Sequence, residues 1–344
     1  MLYPRKPQQG DRIAVVSPSG GLPEVFPIPF DHGLSRLRDL FGLVPVEFPT
    51  TRRMDATPQE RAADITAAFA DPSIKAVIAA IGGDDQITVI PYLDDEVIKE
   101  NPKPFFGYSD NTNLLAHLWR LGVVSYHGGS VMVQLGRGGA VHPITKASLH
   151  AALFTSGPFE LGESPEYGDV EQDWEDPRFV DTEPAMQECA GWIWHNDDQV
   201  VEGVTWGGNL EILTWMLAAD RDIAAPEAYD GMILVIETSE EMPSATEVFR
   251  MLRNLGERGI LGRFAAVVCG RAKTWSFENR NGPDAKALYA REQREAILRA
   301  QAAYAPEALV VFDVDLGHTD PQVVIPYGGV MRIDGPARKI TVVY

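Results

Sequence analysis

Gly107-Tyr108-Ser109-Asp110 is the stretch of this 344-residue chain whose residue types and spacing best suit covalent chemistry. It follows the apolar run Pro104-Phe105-Phe106 and precedes Asn113 to Leu121, where leucines at 114, 115, 118 and 121 fall on one face at helical spacing. A serine on a strand-to-helix turn exposes its hydroxyl beside the free N–H groups of the helix start, which is what a nucleophile needs. The same residues also read as a plain Ser-Asp helix cap, because both side chains accept hydrogen bonds from first-turn N–H groups. Asn111 stands where the elbow G-x-S-x-G has its last glycine. Chemistry at Ser109 therefore requires partners from elsewhere in the chain.

Two further residues end apolar runs. Glu237 closes Met232 to Ile236, where a carboxylate is partly desolvated unless a polar or charged group meets it. Its alternative is a strand end turned to solvent beside Glu240 and Glu241. His318 lies on the turn Asp315-Leu316-Gly317-His318-Thr319-Asp320, after the strand-like Leu309 to Val314. A single histidine on a turn is also an ordinary surface residue. Taken together, a serine, a glutamate and a histidine, each after a predicted buried strand, make a triad-type arrangement.

The elements that must position these groups follow from periodicity. Asp11 to Pro18 is a short β-branched run ending in Ser19-Gly20-Gly21, and Asp31 to Leu40 predicts a helix with Leu34, Leu37 and Phe41 inward and Gly42 as its stop. Val44 to Phe48 is strand-like, with Pro45 placing it at a sheet edge. Thr57-Pro58-Gln59-Glu60 reads as a capped helix start, running to Phe69. Lys75 to Ile81 is a buried parallel-type strand entering Gly82-Gly83-Asp84-Asp85. This alternation predicts an α/β fold with a doubly wound, mostly parallel sheet over residues 1–140. In such a sheet ligands gather outside the carboxyl ends of the strands, here Ser17 to Gly21, Gly82 to Asp85, Ser109 and His127-Gly128-Gly129.

From about residue 136 the character changes. Residues 141–185 read as a connector, and the acids between Glu160 and Asp181 read as a solvated face. Residues 186–344 carry a second set of elements, expected to form a smaller α/β domain. Trp206-Gly207-Gly208-Asn209-Leu210 leads into an apolar helix to Leu217, and Gly231 to Glu237 is a buried strand. Ser244 to Leu255 and Asp284 to Ala303 read as helices, Phe264 to Cys269 and Ala308 to Val314 as strands, and short strands and turns alternate at the C-terminus.

Thirty basic against forty-nine acidic side chains give a formal charge of −19, which disfavours nucleic acid and anionic membranes as partners. Cys189 and Cys269 stand far apart in no metal-binding spacing, so neither a disulfide framework nor a structural zinc site is expected. No stretch reaches the length of a membrane span, and Met1 to Gln8 lacks the apolar run of a leader, so a cytoplasmic protein is expected. The glycine-rich turns leave open a non-catalytic nucleotide-binding module, although neither G-x-G-x-x-G nor G-x-x-x-x-G-K-[ST] occurs. A metal hydrolase built on His127, His142 and Asp84/Asp85 lacks recognisable ligand spacing.

Ile81-Gly82-Gly83, Gly107-Tyr108-Ser109-Asp110, the Trp206 to Leu210 turn, Ile236-Glu237, Gly317-His318 and Pro326-Tyr327-Gly328 together resemble the LD-carboxypeptidases, in the branch that contains the microcin C immunity peptidases. The resemblance spans nearly the whole chain. It implies a serine peptidase with no metal or organic cofactor, whose N-terminal domain carries the nucleophile and whose C-terminal domain supplies acid and base. Ser109 would attack, His318 would act as base and then acid, and Glu237 would orient the imidazole. Backbone N–H groups of Gly83 and Asp110 would hold the oxyanion. Muropeptide-cleaving members carry an arginine-rich glycine motif where this chain has Ile81-Gly82-Gly83-Asp84-Asp85-Gln86. That favours an aminoacyl-nucleotide substrate over D-alanine release from tetrapeptide stems. Trp192, Trp194 and Trp206 resemble the aromatic loop that stacks on adenine in that branch, with core packing as their alternative. Asp84, His127 and Asn209 complete the expected substrate contacts. A small-molecule substrate and a homodimer are the partners implied.

Overall fold

The computed structural model describes residues 1–344. In chain order the elements are β1 (Arg12–Val16), α1 (Pro27–Asp39), β2 (Val44–Glu47), α2 (Pro58–Ala70), β3 (Ile74–Ala79), α3 (Asp95–Glu100), β4 (Phe105–Gly107), α4 (Thr112–Arg120) and β5 (Ser125–His127). There follow α5 (Pro143–Phe154), β6 (Pro158–Glu160), β7 (Glu166–Tyr167), β8 (Gln187–Glu188), β9 (Ile193–His195), β10 (Val200–Asn209), α6 (Leu210–Ala219) and β11 (Ile233–Glu237). The chain closes with α7 (Ala245–Glu257), β12 (Ala266–Gly270), α8 (Pro283–Tyr304), β13 (Leu309–Val314), β14 (Ile325–Tyr327), β15 (Val330–Asp334) and β16 (Lys339–Val343). No helix is long and apolar enough to cross a membrane.

Local chemistry accounts for the helix starts. The Thr57 hydroxyl accepts the Glu60 N–H while Glu60 accepts the Thr57 N–H, and Ser244 and Glu247 repeat this reciprocal cap on α7. The first sheet has the strand order β14-β5-β4-β3-β1-β2 and is parallel except for β14. Pro45 lies in β2 at its edge, where a residue without an N–H leaves no ladder bond unmade. The second sheet runs β6-β16-β15-β10-β11-β12-β13-β9. It is parallel from β10 to β13, with antiparallel strands on either side. With eight strands against six it is the larger sheet, not the smaller one expected.

The period-two alternation of the strands sends side chains into two cores. Ala14 and Val16 of β1 share one core with Leu234 and Ile236 of β11, while Ile13 and Val15 share the other with Ile233 and Val235. Each core therefore passes across both sheets. Helices α2, α3, α4, α6, α7 and α8 cover the first, and α1 and α5 the second. Helix α5 falls inside the stretch expected to be a connector. His142 caps it, Pro143 starts it, and Leu149, Ala152 and Leu153 are buried. Chain order is also crossed at β14, where Ile325 to Tyr327 return to pair with β5.

Candidate active site

Ser109 sits where β4 gives way, through a single tight turn over residues 109–111, to α4. Its φ of +61° lies in the left-handed region, which a serine adopts only when its surroundings hold it there. Those surroundings are a polar lattice. Asn111 Nδ2 donates to the Tyr108 and Ile81 carbonyls, and Gln86 Nε2 donates to Asn111 Oδ1 at 2.9 Å. Asp110 Oδ2 accepts the Gln86 N–H at 2.8 Å, and Asp110 Oδ1 accepts Asn113 Nδ2 at 2.9 Å. The turn 81–86 is thereby bonded to the serine turn. A Cβ on Gly82 would stand 2.8 Å from Ser109 Cβ and 3.0 Å from its Oγ, so only glycine permits the approach. The N–H groups of Gly83 and Asp110 donate to no protein acceptor.

Glu237 ends β11, buried, with Asn209 opposite it in the β10 ladder. His318 Nδ1 donates to Glu237 Oε2 at 2.6 Å. The intervening residue, Gly317 at φ +86°, makes the contact possible, since a Cβ there would lie 2.7 Å from Glu237 Cβ. Tyr108 stands edge-on to the imidazole, ring centroids 5.0 Å apart. The remaining nitrogen, His318 Nε2, faces Glu240 Oε2 at 3.4 Å, and Ser109 Oγ makes no hydrogen bond to it.

Burial pulls the His318 imidazole down, but the charge and hydrogen bond of Glu237 outweigh it, with Glu240 and Glu211 adding, and raise it to about 9. For Glu237 burial pushes upward and the His318 contact prevails, leaving the carboxyl below its ordinary value. Glu211 on α6 is pushed up to about 7 by burial and by Glu237, while accepting both the N–H and hydroxyl of Ser239 at 2.8 Å.

Ser109, His318, Gly82 and Gly83 open onto a cleft of about 460 Å³, within the range of small-molecule sites. One wall comes from residues 168–184, with Trp174 and Phe179 presented to the cleft. Their acids do not all form the solvated face that composition predicts. Asp169 is buried, bonded to Lys286 Nζ at 2.5 Å and to the Thr274 hydroxyl, while Lys273 Nζ donates to its carbonyl at 2.9 Å. Nothing in the local sequence signals these partners, which lie more than 100 positions away.

Of the expected substrate contacts, none lines the cleft. Trp206 is wholly buried in an aromatic cluster with Trp119, Tyr229 and Phe264. Trp192 packs in the core and donates its indole N–H to Asp315, and Trp194 lies on β9 at the far edge of the second sheet. His127 is buried behind the acid, its Nε2 4.0 Å from Glu237 Oε1, and burial lowers it to about 4, so it is neutral. Asn209 caps α6 through Ile212 N–H, and Asp84 is exposed outside the cleft. Trp174, Phe179, Phe277, Arg137, Lys273 and Glu240 line it instead. The usable signal was three aromatics standing in polar stretches with no periodicity to bury them.

Fold and site define the class, a serine peptidase. The chain belongs to the LD-carboxypeptidase family: residues 13–128 match its N-terminal domain and residues 202–333 its C-terminal domain. The Microcin C7 self-immunity protein MccF of Escherichia coli is 24% identical over 83% of this chain and 78% of its own. The murein tetrapeptide carboxypeptidase of Pseudomonas aeruginosa is 29% identical over 54% of this chain and 52% of its own. The structure of MccF in complex with aspartyl sulfamoyl adenosine superposes with a TM-score of 0.85 at 22% identity, covering 100% of this chain and 99% of that one.

Proposed function

We propose that this protein hydrolyses the acyl–nitrogen bond of aminoacyl-nucleotide conjugates, aminoacyl sulfamoyl adenylates among them, through a Ser109–His318–Glu237 triad. The carrying observation is the buried Glu237–His318 pair, with the second ring nitrogen turned to the cleft that Ser109 lines. Ser109 Oγ attacks the acyl carbon as His318 Nε2 takes its proton. The tetrahedral oxyanion lies against the N–H groups of Gly83 and Asp110, each contributing on the order of 10²- to 10³-fold in rate. Collapse breaks the acyl–nitrogen bond, His318 returns the proton to the leaving nitrogen, and water attacking the ester releases the acid and regenerates Ser109. Glu237 keeps the imidazole in its tautomer. Trp174 and Phe277 offer aromatic faces for the nucleobase. The MccF complex with an aminoacyl sulfamoyl nucleotide supports this substrate class.

A fluorophosphonate probe is expected to label the protein and spare Ser109→Ala, with kcat toward a sulfamoyl adenylate falling by a factor on the order of 10⁴ to 10⁶. Labelling that survives the substitution removes Ser109 from the mechanism. The similarity to a murein tetrapeptide carboxypeptidase supports a second reading, release of D-alanine from tetrapeptide stems. Turnover of the stem with the conjugates left intact would establish it. Homodimeric assembly and a cytoplasmic location accompany the family reading, and sedimentation and cell fractionation test them.

A further inference from the structure

Four carboxylates line the cleft. Three of them are neutralised by a cation of the protein itself: Asp169 by Lys286 at 2.5 Å, Glu171 by Lys273 at 3.4 Å and Asp320 by Arg137 at 2.7 Å. The fourth, Glu240, has no lysine or arginine within 4.0 Å. Its one charged neighbour is His318, and its side chain is 54% exposed toward the cleft. Nor is its place left to a loose loop. The preceding residue, Ser239, is buried and held through both its N–H and its hydroxyl by Glu211 of α6. A carboxylate anchored at its backbone, whose one ionic partner is the imidazole that must turn neutral to act as base, leaves one charge in the cleft for the substrate to satisfy.

We infer that Glu240 reads a positive charge on the acyl half of the substrate, so that the enzyme selects acyl groups bearing a free ammonium close to the carbonyl and disfavours acyl carboxylates. This rests on the hydrolase reading above. The ammonium of an α-amino acyl group lies two bonds from the carbon that Ser109 attacks. It therefore falls in the part of the cleft that Glu240 shares with His318. Engaging it also draws the Glu240 carboxylate away from His318 Nε2, the nitrogen that must meet Ser109, so recognition of the cation and release of the base become one event. A second carboxylate on the acyl side chain, as in aspartyl, adds repulsion that offsets these gains, and an acyl group without the ammonium forgoes them.

The experiment compares kcat/KM for alanyl, lactoyl and aspartyl sulfamoyl adenylates in the wild-type protein, Glu240→Gln and Glu240→Lys. Lactoyl keeps the shape of alanyl and replaces its ammonium by a hydroxyl. Ratios taken within one protein cancel any effect of the substitution on the imidazole, and Glu240 is exposed, so the core is untouched. The wild type is expected to favour alanyl over lactoyl and over aspartyl by about tenfold or more. Glu240→Gln should bring the three within about threefold of one another, and Glu240→Lys should favour aspartyl. Equal use of alanyl and lactoyl by the wild type, or an alanyl preference undiminished in Glu240→Gln, overturns the inference while leaving the hydrolase standing. Failure of the wild type to cleave any conjugate, alanyl included, overturns both.

Discussion

At the residue scale, the proposed triad makes the His318 imidazole the group whose state decides activity. A general base works only unprotonated, and the carboxylates around His318 hold its proton on, up to about 9. kcat/KM is therefore expected to climb as pH rises through the neutral range toward that value. Glu240→Gln removes one of the charges that favours the imidazolium, so its acidic limb should move to lower pH. An acidic limb at or below the ordinary histidine value, or one that Glu240→Gln leaves in place, contradicts this account. The tryptophans give a second contrast. Trp206, wholly buried among three other aromatics, should cost about 3–5 kcal/mol of stability when changed to alanine, with KM nearly unchanged in what remains folded. Trp174→Ala, at the cleft wall, should raise KM and leave the urea midpoint close to that of the wild type. Sequence pattern pointed to tryptophans that the fold keeps out of the cleft, because an indole on a short strand and one on a polar excursion differ only in what the rest of the chain brings to them.

At the scale of elements, the serine turn stores strain at the residue proposed as nucleophile. Ser109 at φ +61° is in a region where a Cβ costs roughly 1–2 kcal/mol and glycine nothing. Ser109→Gly should therefore unfold at higher urea than Ser109→Ala, by about 1 kcal/mol, although neither is labelled by a fluorophosphonate. A glycine variant no more stable than the alanine variant would mean that the turn relaxes. The turn itself was readable in advance, because Pro104 to Asp110 joins an apolar run to a leucine stripe of helical period. So were β1, α2, β3, β11, α7 and β13, each an apolar pattern bounded by a cap, a glycine or a proline. Helix α5 was missed for want of an acidic or hydroxyl cap and a strong apolar stripe, since a histidine side chain does the capping. The wall at 168–184 was missed for a different reason. Its burial depends on Lys273, Thr274 and Lys286, and no window of local sequence contains both sides of those contacts.

For the whole molecule, the question is what holds Ser109 of the first sheet against His318 and Glu237 of the second. Two cores, each shared by both sheets, answer it: neither half has an apolar interior of its own. The face of α4 that follows Ser109 packs against β10 and α6, and Trp119 of α4 stacks on Tyr229 while meeting Trp206. β14 closes the first sheet from the C-terminal part of the chain. The halves should then unfold together, with tryptophan fluorescence and far-ultraviolet dichroism giving coincident urea transitions and a calorimetric enthalpy equal to the van't Hoff value. Residues 1–140 expressed alone lack β14 and expose the apolar face of α4, and no cooperative transition is expected of them. On the proposed mechanism, the contact of Ser109 with His318 is then completed by small movements within these shared cores, the swing of Glu240 off His318 Nε2 foremost, and not by the parting and closing of two bodies. Two separate transitions, or a folded 1–140 fragment, would show that the halves are independent and would return the approach of Ser109 to His318 to a hinge.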